Sequence, residues 1–249
     1  MEMSVFLGSG RADDFAQELH ETLDAVKGLR DNARRDPQRA DDRLRLRAWQ
    51  AERLAATYPD LRASDRHGPA AQFFLSDLYG PKDFSQRDEE VTRILPTMRR
   101  MLPDAALKAF GAAIELDYLS ELLDHDVVRK LRADQPAGPL AVTPDRYAAA
   151  YRACGHEVER RRQIELIDGI GRALDRLTRM PLVSGALDLM RGPAKVAGLS
   201  EVHDFFKRGY DAFRHMRGAD EFLAAIRDRE TRLMQRLLAG SPAPFERAL

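Results

Sequence analysis

Apolar residues recur three and four positions apart along almost the whole of this 249-residue chain, and apolar/polar alternation between turn signals is nearly absent. That spacing is the period of one face of an α-helix. The sequence therefore predicts an all-α fold, a multi-helix bundle of about eight to ten helices. The first segment sets Phe15, Leu19, Leu23, Val26 and Leu29 on one stripe. The second, about 37 to 58, places Leu44, Ala48, Ala51, Ala55 and Tyr58 on a face beside Trp49 and stops at Pro59. A helix near 67–79 closes on Gly80-Pro81, and Ser85 caps the next, which carries Val91, Ile94, Leu95, Met98 and Leu102. From Pro103 to about Leu131 the chain is apolar around most of a helical circumference, which predicts a central position.

Thr143 and Pro144 read as the cap and first residue of a further helix, Gly155 as its break, and a long helix follows to Met180. A short helix at 183–190, a Gly/Pro loop at 191–198, a Ser200-capped aromatic helix to Met216 and a last helix at 219–239 complete the pattern. We expect one all-helical domain over 1–249, with a surface connection at 132–143 and an extended tail at 240–249.

Charge narrows the partners. Forty Lys and Arg balance 40 Asp and Glu, so the sequence offers no excess of cations with which to cover a face of nucleic acid. All but six of the cations are arginine. The single cysteine, Cys154, excludes an internal disulfide and a zinc site built on cysteines. The longest uncharged run, Gln135 to Pro144, is ten residues, against the about 20 apolar ones of a membrane-spanning helix. The opening residues lack a basic stretch followed by an apolar one, so the expected location is cytoplasmic.

The predicted central helix carries Asp117, Glu121 and His125 at intervals of four, with Asp124 alongside, and it also holds Glu115. Carboxylates and an imidazole on an inner wall are the donor set of ferritin-like diiron bundles, but those use Glu-x-x-His. None of the six histidines has an acid three residues before it. The stripe therefore reads as a solvated acidic face, with Asp117, Glu121 and His125 kept as the alternative metal set. A haem oxygenase-like bundle needs little more than one proximal histidine, for which His20, His125, His203 and His215 are helical candidates.

On the helix after Gly155, Gln163 projects into the apolar arc of Ile164, Ile167, Ile170, Gly171, Leu174 and Leu177, and Arg160 lies at its edge. Buried polar groups need partners. They are expected either in a network with acids such as Glu115 or in a pocket where Arg160 anchors a carboxylate or phosphate. The 191–199 stretch lacks the spacing of a phosphate loop, no Gly-x-Ser-x-Gly is present, and Cys154 beside His156 is a weak pairing for thiol catalysis.

The most distinctive stretch is Phe73-Phe74-Leu75-Ser76-Asp77-Leu78-Tyr79-Gly80. It resembles the FFLEELY-motif family of uncharacterised bacterial proteins, with Ser76 and Asp77 where that motif has two glutamates. The 160–175 helix and the Arg191-Gly192-Pro193-Ala194 stretch are similar to the same family. The resemblance implies an all-helical cytosolic protein and brings no activity with it.

On the residues themselves, Phe73, Phe74 and Leu78 are core knobs, Tyr79 buries its ring while bonding through its hydroxyl, and Asp77 is drawn inward with them, where Arg160, directly or through one polar intermediary, or another arginine is expected to neutralise it. The sequence thus points to a non-catalytic helical binding or interaction protein. Asp77, Tyr79, Glu115, Arg160 and Gln163 are its candidate polar cluster, its partner an unknown small molecule or protein, and no cofactor is required. The alternative is a helical-bundle enzyme or binding protein that uses haem or iron.

Overall fold

The computed structural model describes residues 12–78, 90 and 104–246. Among them the chain forms ten α-helices and no strand. We label these α1 (Ala12–Arg34), α2 (Pro37–Thr57), α3 (Pro59–Ala63), α4 (Gly68–Phe73), α5 (Asp104–Asp134), α6 (Pro144–Cys154), α7 (Glu157–Thr178), α8 (Pro181–Val196), α9 (Ser200–Met216) and α10 (Asp220–Leu238). α4 runs on into a single π-helical turn, Phe74–Leu78.

Local chemistry explains several of the ends. Asp36 caps α2 by accepting from the backbone N–H groups of Gln38 and Arg39, and Pro37 follows at the first helical position. Thr143 caps α6 and accepts from Arg146 N–H. Between α6 and α7 the chain turns through two left-handed residues, Gly155 (φ 70°) and His156 (φ 58°), so the expected break is a sharp corner. The 132–143 connection is a surface loop held by Arg132, Gln135 and Arg146, whose side chains bond its carbonyls.

α5 packs against α1, α2, α6 and α7, and α7 in turn against α5, α8, α9 and α10. These two helices form the axis of the bundle. Two large apolar clusters flank it. One is aromatic, built from Phe73, Phe74, Phe213 and Phe222 with Leu54, Ile167 and Leu223. The other gathers Leu46, Val127, Leu131, Tyr147, Tyr151, Leu233 and Leu237.

Several expectations change. On α2 the buried face carries Leu46 and Leu54, whereas Leu44 is exposed, because the arginines of that helix face acids on α5 and rotate it inward. α8 does not stop at Arg191 but continues through Pro193 to Val196, and Gly198 (φ 67°) is the glycine that ends it. No side chain of Leu199 or Ser200 caps α9; instead Glu90, fully buried, accepts from Val202 N–H at 3.0 Å. The tail folds back so that Phe245 stacks edge-on against Trp49, with centroids 5.6 Å apart. The Ser85-capped helix lies outside the described residues. None of the described helices is long and apolar enough to cross a membrane.

Candidate functional site

Between the two apolar clusters lies a cavity of about 140 Å³, walled by α2, α3, α4, α5, α6, α7, α10 and the turn that follows α4. Helical spacing brings each wall residue there. α2 contributes Gln50, Arg53 and Leu54, α5 contributes Ser120 and Asp124, and α6 contributes Tyr147 and Tyr151. α7 lays Arg160, Gln163, Ile164 and Ile167 along one face, at intervals of three and four. α10 adds Ile226, Glu230, Leu233 and Met234, and the motif stretch adds Phe74 and Leu75.

Most polar groups on this wall are already committed. Arg53 Nη1 donates to Glu230 Oε1 at 2.7 Å, and the Tyr58 hydroxyl donates to the same oxygen at 2.7 Å. Burial lowers the pKa of Arg53, but Glu230 and the tyrosines Tyr147 and Tyr58 more than reverse it, so the guanidinium stays charged. Gln50 Nε2 donates to Asp124 at 2.9 Å, with Arg47 Nε 3.7 Å from that carboxylate. Gln163 accepts from Arg160 Nη1 at 3.3 Å and donates to Ser120 Oγ at 3.0 Å.

Two donors remain. Arg160 Nη2 and Arg53 Nε are buried without a hydrogen-bond partner. The Arg160 guanidinium lies over the Tyr151 ring, 4.5 Å from its centroid, and Arg160 as a whole is only 9% exposed. Burial pushes the Tyr151 hydroxyl far above the usual phenol range, while the cations Arg160 and Arg53 both pull it down. Both guanidinium groups therefore act on one phenol at the cavity wall.

The expected five-residue cluster is thus divided. Arg160 and Gln163 meet at the cavity. Asp77 is buried as its helical position implies, but it pairs with Arg208 of α9, which donates from Nε at 3.0 Å and from Nη2 at 2.7 Å. The described hydrogen bonds do not join Asp77 to Arg160, so of the two expected forms it is another arginine that neutralises Asp77. The cause is the packing of α4 on α9: Phe73 seats against Gly209, and this sets Asp77 beside Arg208. Glu115 pairs with Arg162, which offers Nε and Nη2 at 2.7 and 2.8 Å. Tyr79 lies outside the described residues.

The acidic stripe of α5 is not solvated. Glu121 is fully buried and Asp124 nearly so. Glu121 accepts from Arg30 at 2.8 Å and is paired also with Arg43 and Arg47, and Arg30 Nη2 reaches Asp117 at 2.7 Å. Burial, then the neighbouring Arg47, pushes Arg43 down to about 10. Arginines of α1 and α2 thus occupy the carboxylates of the alternative metal set, and no group of three or more metal-capable side chains is placed together among the described residues.

His203 faces the Leu187 carbonyl at 2.8 Å, His215 the Asp65 carbonyl at 2.8 Å, and His20 forms an exposed pair with Asp24. His156 faces Asp126 rather than Cys154, whose thiol burial pushes up, with Asp126 adding to the effect.

Sequence reasoning passed over Arg53, Tyr151 and Glu230. The criterion that selected Gln163, a polar residue inside an apolar arc, applies equally to Glu230, which sits between Ile226 and Leu233 on α10.

A family model described as a domain of unknown function (DUF8198) matches residues 29–244, the span that holds every wall residue of the cavity. No curated protein and no solved structure matches the chain.

Proposed function

The chain belongs to the DUF8198 family, a membership that carries no activity with it, and from the cavity we propose that the protein is a helical binding protein holding a small molecule between its two apolar clusters. The observation that carries this reading is the buried Arg160, a cation that lines an otherwise largely apolar space and whose Nη2 has no hydrogen-bond partner. Native interiors leave few such donors unpaired. A pocket of apolar walls with a few convergent polar groups is the usual form of a small-molecule site. The motif stretch has a place in this reading, since Phe74 and Leu75 form part of the wall. Its likeness to the FFLEELY-motif proteins, their bacterial origin and a cytoplasmic location complete the proposal. A single thiol suits a reducing compartment.

The test is a thermal-shift screen of small amphipathic molecules on the wild-type protein and on Ile164→Phe, which narrows the cavity from α7. A ligand that binds only the native state raises the midpoint with its concentration. Stabilisation of the wild type that is lost in the narrowed variant sustains the reading. Equal shifts in both proteins, or none in either, overturn it. A visible spectrum and metal analysis of the purified protein test the haem or iron alternative in the same sample.

A further inference from the structure

We propose that the cavity takes a small monocarboxylate, its anionic head on Arg160 and its apolar body, about the size of a benzene ring, between α2, α7 and α10. This rests on the cavity being a binding site, and it goes further by fixing the charge, number of charges and size of the occupant.

Charge follows from what is left over. Three arginines are buried among the described residues: Arg30, Arg43 and Arg160. Arg30 and Arg43 are each paired with Glu121. Arg160 has a glutamine oxygen and an aromatic ring, but no carboxylate within the 4.0 Å of an ion pair. A desolvated cation without a counter-ion is costly, and an incoming anion relieves that cost. One oxygen of Glu230 takes Arg53 and Tyr58, one oxygen of Asp124 takes Gln50, and the Gln163 oxygen takes Arg160 itself. The wall atoms that are buried without a partner are donors, on Arg160 and Arg53. A ligand that brings acceptors meets these buried donors, whereas an amine would set a second cation beside Arg160.

The number of charges follows from the same wall. Glu230 and Asp124 lie on it, and only Arg160 lacks a neutralising carboxylate. One negative charge balances the site, whereas the second charge of a phosphate would face those two acids across a space of low dielectric. Size follows from the volume. The space of about 140 Å³ is close to that of an engineered apolar cavity of about 150 Å³ that holds benzene. Leu54, Phe74, Ile164, Ile167 and Ile226 supply the apolar surface.

The experiment is titration of the whole chain with hexanoate and benzoate, against hexanamide, benzamide, benzylamine and inorganic phosphate, followed by thermal shift and by calorimetry. Xenon entry, read by NMR, reports whether the cavity is open at all. The two acids should bind at least tenfold tighter than their amides, with phosphate and the amine weaker still. Arg160→Met should abolish the preference for acid over amide, and Arg160→Lys should restore part of it. Arg208→Met, which removes a cation paired elsewhere, should leave the preference intact. Contacts between the hexanoate chain and the methyl groups of Ile167 and Ile226 in NOE spectra should place the ligand even if an Arg160 variant fails to fold.

Amides that bind as well as acids, or acids that bind Arg160→Met undiminished, overturn the assignment of a carboxylate. Xenon or amide entry without acid binding does the same and leaves the cavity reading standing. Exclusion of xenon and of every probe overturns both.

Discussion

Arg30 of α1 donates its Nε to Glu121 of α5 at 2.8 Å, across 91 positions of sequence. Glu121 is fully buried and also carries Arg43 and Arg47 of α2. One carboxylate therefore ties three helices together through charge where a bundle ordinarily uses apolar contact. Removing one member of a buried ionic group strands the others and costs about 3–5 kcal/mol. Glu121→Gln should lose stability in that range by urea unfolding. Asp41→Asn, which breaks the exposed Arg45 pair, should stay within about 0.5 kcal/mol. A loss of only a few tenths at Glu121 would return the stripe to the solvated face that its sequence suggests.

Asp77 and Arg208 should be coupled. Arg208 is about half exposed, so solvent screens part of the pair, but Asp77 is buried and two hydrogen bonds hold it. A double-mutant cycle of Asp77→Ala and Arg208→Ala should give an interaction energy of roughly 0.5–3 kcal/mol. The same cycle with Arg160 in place of Arg208 should give a smaller value. A larger coupling to Arg160 than to Arg208 would contradict the helix packing described above.

Gly209 lets α9 approach the motif helix. A Cβ there would lie 2.9 Å from Phe73 Cζ, and that ring is already packed against Phe74 and Phe205. Alanine gains about 1 kcal/mol of helix propensity over glycine, yet overpacking a core costs roughly 1–3 kcal/mol. Gly209→Ala should be net destabilising, and Gly209→Ala with Phe73→Leu should recover much of the loss. Chemical denaturation of the three proteins decides it.

His67 gives the chain a pH-dependent component. Burial first, then the Arg66 cation, holds its imidazole below the usual value, against the weaker opposing pull of Glu221 and Asp60. Its Nε2 is buried without a hydrogen-bond partner, and its ring lies 6.0 Å from that of Phe222. The unfolded chain, with an ordinary pKa of about 6.5, binds the proton at higher pH than the folded one. The contribution is thus complete above about 6.5 and is lost as pH falls toward the lowered folded value. His67→Phe keeps a ring against Phe222 and removes the titration. Its stability relative to wild type should be constant from pH 7.5 to 8 and should rise as pH falls from 7 to 5.5. A parallel pair of curves would show that His67 titrates as it does in the unfolded chain.

Helix periods were legible because they depend only on where apolar residues recur. The corner at Gly155 and the cap at Thr143 were legible because each is local. Partners were not. The acids of α5 and the arginines of α2 form two polar stripes with matching spacing, Asp117, Glu121 and Asp124 against Arg43, Arg47 and Gln50. Each stripe alone reads as a solvated face, and only their apposition buries both. Glu90 poses the same problem at α9, whose cap comes from 112 positions away. Gln163 and Arg160 were found because a polar residue within an apolar arc is a local anomaly. Their choice of each other, and the cavity they line, depends on how eight segments meet.

Arg160 should be nearly dispensable to the empty protein. If it were the partner of Asp77, its removal would strand a buried carboxylate and cost about 3–5 kcal/mol. The structure gives Asp77 to Arg208 and leaves Arg160 with one hydrogen bond of 3.3 Å and the face of Tyr151. A cation–π contact of this kind contributes about 0.5–2 kcal/mol, and it opposes the cost of desolvating an uncompensated guanidinium. Arg160→Met keeps comparable length, removes the charge and loses the ring contact. Its unfolding free energy should fall between no change and a gain of about 2 kcal/mol, the pattern expected where a binding site holds strain that a neutral residue would relieve. A loss of more than 2 kcal/mol would show that Arg160 holds the fold together. Urea denaturation of Arg160→Met beside wild type, with no small carboxylate in the buffer, makes the measurement.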